Sequence, residues 1–248
     1  MSSLVHRANG NGISEELTRF YAVGILDAID YLHSKSIAHR DIKPSNFVIN
    51  TDGFPILTSL AFAKKLPRGG KTFTSCGTYV YHAPEIVTQQ GYHHSIDIWA
   101  FGVTLYEMIV GKTPFREPGM STEDTYKCIV TLDYKVPPTD SVLSDAARDL
   151  IANLLVIDPQ ERLGCGASKR SAGVAHDDIR AHDFFSRISD WESYKQRDSR
   201  TVPVPWIPEP QLFIDLLNGA EGDLDWRGDD EDSNNVLSSD IQKIFRDF

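Results

Sequence analysis

The stretch His39-Arg40-Asp41-Ile42-Lys43-Pro44-Ser45-Asn46 brings a carboxylate, an ammonium group and a side-chain amide into one short loop. A phosphoryl-transfer site needs those three groups: a carboxylate to orient an incoming hydroxyl, a cation to neutralise the transferred phosphate, and an amide oxygen for a metal ion. On that chemistry Asp41, Lys43 and Asn46 are the candidate catalytic residues. Lys43 and Asn46 are also candidate cofactor contacts, and Asn46 is the candidate metal ligand. His39 and Arg40 brace the loop.

The flanks frame this loop. Upstream, Leu17, Phe20, Tyr21, Ile25, Ala28, Ile29 and Leu32 recur at spacings of three and four, which predicts a helix over 14–34. Ser14 is its N-cap, and Glu15 and Glu16 suit the positive end of its dipole. Downstream, Phe47-Val48-Ile49 and Phe54-Pro55-Ile56-Leu57 read as two short strands around the Asp52-Gly53 turn. A buried helix is expected over 96–110, capped by Ser95 and stopped by Gly111, and another over 144–156 with Ser144 as cap. Pro203, Pro205, Pro208 and Pro210 mark an extended stretch. Residues 215–232, with eight acids and one arginine, form an acidic segment, and the chain closes on Phe245 and Phe248.

Composition narrows the function classes. A formal charge of −10 and a pI near 5.2 argue against a nucleic-acid surface and against a polybasic membrane anchor. The longest apolar run, 96–110, is interrupted by Asp97 and Glu107 and is too short to span a bilayer. Cys76, Cys128 and Cys165 are odd in number and widely spaced, so neither a disulfide framework nor a zinc site is expected. His93, His94, His176 and His182 lack a carboxylate or cysteine frame and read as surface or cap residues. The expectation is a soluble protein of the cytoplasm or nucleus, with protein partners and neither nucleic acid nor membrane.

The loop matches the H-R-D-x-K-x-x-N of protein kinases, and other motifs agree. Cys76-Gly77-Thr78 and Ala83-Pro84-Glu85 resemble the close of a kinase activation loop. Asp97-Ile98-Trp99-Ala100-Phe101-Gly102 resembles the D-x-W-x-x-G of the central kinase helix, and Arg162 matches the arginine that pairs with the Ala-Pro-Glu glutamate. Phe62-Ala63-Lys64, His182-Asp183-Phe184-Phe185 and the Phe245/Phe248 ending are similar to the cyclic-nucleotide-dependent (AGC) branch of Ser/Thr kinases. Arg162-Leu163-Gly164-Cys165 also resembles the phosphoinositide-dependent kinase.

The resemblance implies a mainly α fold with a short β-hairpin, the C-terminal lobe of the kinase fold. Residues 1–186 would form the lobe and 187–248 its C-terminal extension. It implies ATP and Mg2+ as cofactors, Val48 as a further nucleotide contact, and transfer of the γ-phosphate to protein hydroxyls. Thr78 would hydrogen-bond Asp41, and Thr74 would be a regulatory phosphosite bridged by Arg40 and Lys64.

Departures qualify this. Where kinases carry Asp-Phe-Gly the chain reads Ser59-Leu60-Ala61, so a neutral hydroxyl stands at the metal aspartate. Neither a G-x-G-x-x-G loop nor a V-A-I-K lysine precedes His39, and the expectation is an absent N-terminal lobe and an inactive or very weak chain. Ser45 and Tyr79-Val80 replace residues that basophilic members use for substrate, although Glu107 is kept. Two readings follow: a Ser/Thr kinase by class, or a pseudokinase-like interaction module or truncated fragment of an active kinase. An apolar patch of Phe47, Val48, Ile49 and the neighbourhood of Leu60, with the Phe245/Phe248 tail, is expected to engage a partner such as another kinase.

Overall fold

The computed structural model describes residues 1–7, 12–67, 70–134, 143–166, 176–197 and 201–208. In chain order its elements are α1 (Ser2–Arg7), α2 (Glu15–Ser34), β1 (Ile37–Ala38), β2 (Phe47–Ile49), β3 (Pro55–Leu57), β4 (Lys64–Lys65), α3 (Pro84–Val87), α4 (Ser95–Val110), α5 (Thr122–Thr131), α6 (Asp145–Leu154), α7 (Asp177–Arg180) and α8 (Trp191–Lys195). The described residues are mostly helical, with two small antiparallel sheets, β1–β4 and β2–β3.

α2 and α4 make the core. The α2 cap is as expected: the Ser14 side chain accepts from the Leu17 amide. α4 is buried on every face from Ser95 to Ile109, so it reads as apolar all round rather than as a stripe. Trp99 on α4 stacks on Phe115 with ring centroids 5.5 Å apart. Gly102 lets α6 close in, because a Cβ there would lie 2.9 Å from the Leu154 Cβ. Gly111, in the left-handed conformation, ends α4.

Two caps differ in detail. Ser95 lies inside α4, which begins after His94, because its hydroxyl is drawn instead to Glu85 Oε1 at 3.3 Å. α6 ends at Leu154, two residues earlier than the periodicity suggests, but Ser144 caps it as expected by accepting from the Ala147 amide.

The hairpin pairs Phe47 with Leu57 and Ile49 with Pro55. Asn50 closes its turn, its Oδ1 accepting from the amides of Asp52 and Phe54. The extended stretch after residue 200 packs on that turn, since a Cβ on Gly53 would meet Val204 Cγ1 at 2.4 Å and the Trp206 carbonyl at 2.7 Å. The apolar patch expected at 47–49 is not continuous. Strand side chains alternate, so Phe47 and Ile49 point into the core and only Val48 is exposed, at 49%. The Met1 amine, which donates to the Phe47 carbonyl at 3.0 Å, helps cover the strand. The acidic segment, Pro210 and the Phe245/Phe248 ending lie outside the described residues.

No helix among the described residues is long and apolar enough to cross a membrane. The Glu85–Arg162 pair forms as the motifs suggest, two parallel bonds of 2.9 and 3.0 Å. Arg162 also donates to the carbonyls of Ser95 and Val156 and lies over the Trp99 ring. With all five Arg162 donors used, removing one partner would strand the other, at a cost of roughly 3–5 kcal/mol.

Candidate active site

The loop 39–46 leaves β1 and is held in place from beneath by α4. Asp97, one turn into α4, accepts from the His39 amide through Oδ2 and from the Arg40 amide through Oδ1, both at 2.8 Å. This clamp fixes Arg40 at φ +70°, a left-handed conformation that a non-glycine residue holds only when its surroundings over-determine it. The His33 ring, from α2, adds a bond to Asp97 Oδ2 at 2.8 Å. Burial works to raise the Asp97 pKa, but the His33 bond and the loop amides overcome it and hold the carboxylate below its ordinary range. Burial lowers the His33 pKa, so its ring is the neutral donor in this pair.

Above the clamp, three of the predicted residues meet. Asp41 Oδ1 accepts from the Thr78 amide at 3.0 Å and from the Thr78 hydroxyl at 2.8 Å. Asp41 Oδ2 accepts from Asn46 Nδ2 at 2.8 Å and lies 3.2 Å from Lys43 Nζ. Lys43 also donates to Thr78 Oγ1 at 2.5 Å. Thr78 reaches this position through Gly77, at φ +91°, where a Cβ would sit 2.3 Å from the Arg40 carbonyl oxygen. Only glycine fits that turn. The Thr78–Asp41 contact agrees with the resemblance.

The 59–63 segment docks on this loop by its main chain. His39 Nε2 bonds the Ser59 carbonyl at 2.6 Å, and Arg40 Nε donates to the Phe62 carbonyl at 2.5 Å. The Ser59 side chain makes no contact with Asp41 or Asn46 among the described bonds. Magnesium does not fit the donors present. Asn46 turns its NH2 to Asp41, leaving its Oδ1 as the neutral donor; Ser59 adds a neutral hydroxyl; the Asp41 carboxylate is already engaged by Thr78, Asn46 and Lys43. Apart from the engaged Asp41, the set offers only neutral oxygens, not the carboxylate charge that hard divalent cations favour. Val48 offers an exposed apolar face on the same strand that follows Asn46.

Arg40 and Thr74 meet through a third side chain. It is Tyr92, whose hydroxyl donates to the Thr74 carbonyl at 2.6 Å and accepts from Arg40 at 3.4 Å. Burial raises the Tyr92 pKa to about 12, so the hydroxyl stays protonated. Lys64 donates to Thr72 Oγ1 at 2.9 Å, while Thr74 is exposed. Glu107 is buried and accepts from the Tyr81 hydroxyl at 2.5 Å.

The sequence reading missed His33, whose neighbours on α2 give no sign that it faces a buried aspartate. It also missed that His94 and His176 pack on it, with ring centroids 5.0 and 5.2 Å away. The cap role appears for His182, which accepts from the Phe184 amide; His176 stands at the N-cap position of α7 without a side-chain cap bond and bonds Asp30 instead.

The protein kinase domain family matches this chain over residues 2–185. Among similar proteins, the chain is 36% identical over 241 residues to a "cAMP-dependent protein kinase, catalytic subunit-like" protein of Caenorhabditis briggsae, covering 95% of this chain and 59% of that one. It is 36% identical to the cAMP-dependent protein kinase type 3 of Saccharomyces cerevisiae, covering 79% of this chain and 46% of that one. It is 37% identical to the cAMP-dependent protein kinase catalytic subunit PRKX of Mus musculus, covering 88% and 57%. The chain thus spans about half the length of the curated relatives it matches. With the loop geometry, the Asp97 clamp and the Glu85–Arg162 pair, these matches establish that the chain belongs to the protein kinase family and resembles its cyclic-nucleotide-dependent, AGC-type branch.

Proposed function

We propose that this chain carries a Ser/Thr protein-kinase site that keeps its substrate-orienting half and has lost its metal-holding half, and that it works mainly by binding polypeptide. Residues 1–186 are read as the C-terminal lobe of the kinase fold and 187–248 as its extension; the helical α2–α4 core and the hairpin following the catalytic loop support this reading. Asp41 would accept the bond of an incoming serine or threonine hydroxyl, held in register by Thr78. Lys43 would balance a phosphate's charge at the same place. ATP and Mg2+ serve the family at large, and Val48 would floor the nucleotide.

One observation carries the proposal: the segment that should bring a carboxylate to Asn46 is docked in position and brings Ser59 instead. Removing one preorganised charge-stabilising group typically costs about 3–4 kcal/mol of transition-state stabilisation, a factor of about a hundred to a thousand in rate. The test is nucleotide titration by calorimetry. ATP affinity of the wild-type chain should change less than about twofold when magnesium is added, and Ser59→Asp should make it magnesium-dependent. Strong magnesium dependence in the wild type would overturn the reading.

A further inference from the structure

A cation stands over the ring that follows Thr78, in a molecule whose formal charge is −10. Thr78 holds Asp41, and its chain neighbour Tyr79 offers a ring beside that contact to a hydroxyl-bearing segment that reaches Asp41. Tyr79 is half-buried, and its ring meets the Tyr126 ring edge-on at 6.5 Å. Tyr126 is fixed from below: its hydroxyl bonds His82 Nδ1 at 3.0 Å, and His82 Nε2 bonds the Cys76 carbonyl at 3.0 Å. Burial lowers the His82 pKa, so this support is neutral.

Over the Tyr79 ring lies the Arg116 guanidinium, its Cζ 5.6 Å from the centroid. Arg116 is exposed and meets no carboxylate among the described residues. Glu107, the acid that would favour a basic peptide, is buried and occupied by Tyr81, and Glu117 is paired with Lys112. A guanidinium spread on an aromatic face keeps its in-plane donors free for a carboxylate fork. The chain as a whole carries −10, opposite in sign to this cation.

We propose that Tyr79, Tyr126 and Arg116 form a docking shelf for an acidic polypeptide segment of a partner protein, with an aspartate or glutamate on Arg116 adjacent to the residue that faces Asp41. The inference rests on the polypeptide-binding reading above and names its specificity. The two rings supply apolar contact for the segment's backbone, and Arg116 selects its charge.

Fluorescence anisotropy on the full chain tests it with two labelled octapeptides. Each has a central serine, flanked on both sides by acidic residues in one and by basic residues in the other. Net charge alone would favour the basic peptide, so a preference for the acidic one has to come from a local cation. The acidic peptide should bind about tenfold more tightly near 0.05 M salt, with the margin shrinking near 0.5 M. Arg116→Lys should narrow the preference without reversing it, Arg116→Glu should reverse it, and Tyr79→Ala should weaken both peptides about fivefold. Equal or tighter binding of the basic peptide to the wild type would overturn this inference and leave the polypeptide-binding reading standing. Binding of neither peptide up to ~1 mM, a free energy weaker than about −4 kcal/mol, would overturn both. Binding that emerges only after Asp229, Asp230, Glu231 and Asp232 are converted to amides would make the chain's own acidic stretch the occupant and overturn the assignment to a partner.

Discussion

The catalytic loop at 39–46 and the segment at 59–63 touch each other, and they have kept different things. The loop keeps both its backbone and its side-chain chemistry: Asp41, Lys43, Asn46 and Thr78 form one bonded cluster. The segment keeps only its backbone. Its docking uses the carbonyls of Ser59 and Phe62, which any residue supplies. A fold can therefore hold the segment in place while its side chains drift, because the contacts that position it do not depend on their identity. On the proposed reading, architecture and catalysis separate at this point in the molecule.

The contrast can be broken by mutation. Asp97→Asn turns the shared acceptor of His39, Arg40 and His33 into a group that carries donors of its own. It leaves one of the two loop amides facing an NH2 group, and it should destabilise the chain by roughly 3 kcal/mol in urea unfolding. Gly77→Ala should cost about 2 kcal/mol, from the positive φ and the 2.3 Å approach to the Arg40 carbonyl, and should detach Thr78 from Asp41. Ser59→Ala leaves the docking carbonyl in place and should change stability by less than about 0.5 kcal/mol. If Ser59→Ala proves as costly as Asp97→Asn, the segment is held by its side chain and the comparison fails.

Acid sharpens the same contrast from below the loop. Burial first, then the neighbouring His33, pushes the His94 pKa down to about 4. The unfolded chain binds a proton near pH 6.5, so the stability held by neutral His94 is complete above that value and lost as pH falls toward 4. His33, lowered by burial, acts in the same direction, while Asp30, Asp97, Arg180 and His176 also face this cluster. With His94 partly exposed, the screened loss should be about 2 kcal/mol between pH 7 and pH 4, and His94→Asn should flatten that part of the profile.

Much of this was legible in the sequence because the informative residues are local. The α2 periodicity, the Ser14 and Ser144 caps, the Asp52-Gly53 hairpin and the Thr78–Asp41 contact all follow from short spacings or a motif. What escaped depends on tertiary neighbours. Ser95 reads as a cap until Glu85 competes for its hydroxyl. Phe47 and Ile49 read as a patch until strand alternation turns them inward. The helices α1 and α5 have weak or mixed patterns, and α5 gains its place from contacts with α3. His33 and Arg116 are single residues without a motif, visible only once the fold sets them beside Asp97 and Tyr79.

The central claim is that the substrate-orienting half of the site survives without the metal-holding half. Its most direct test is γ-phosphate transfer from ATP to a mixed serine/threonine peptide library in the presence of magnesium, comparing the wild-type chain with Asp41→Asn. The account predicts that the two are indistinguishable within the assay, because without a carboxylate at residue 59 the wild type has already lost a factor of about a hundred to a thousand in rate. Transfer by the wild type that disappears in Asp41→Asn would contradict it.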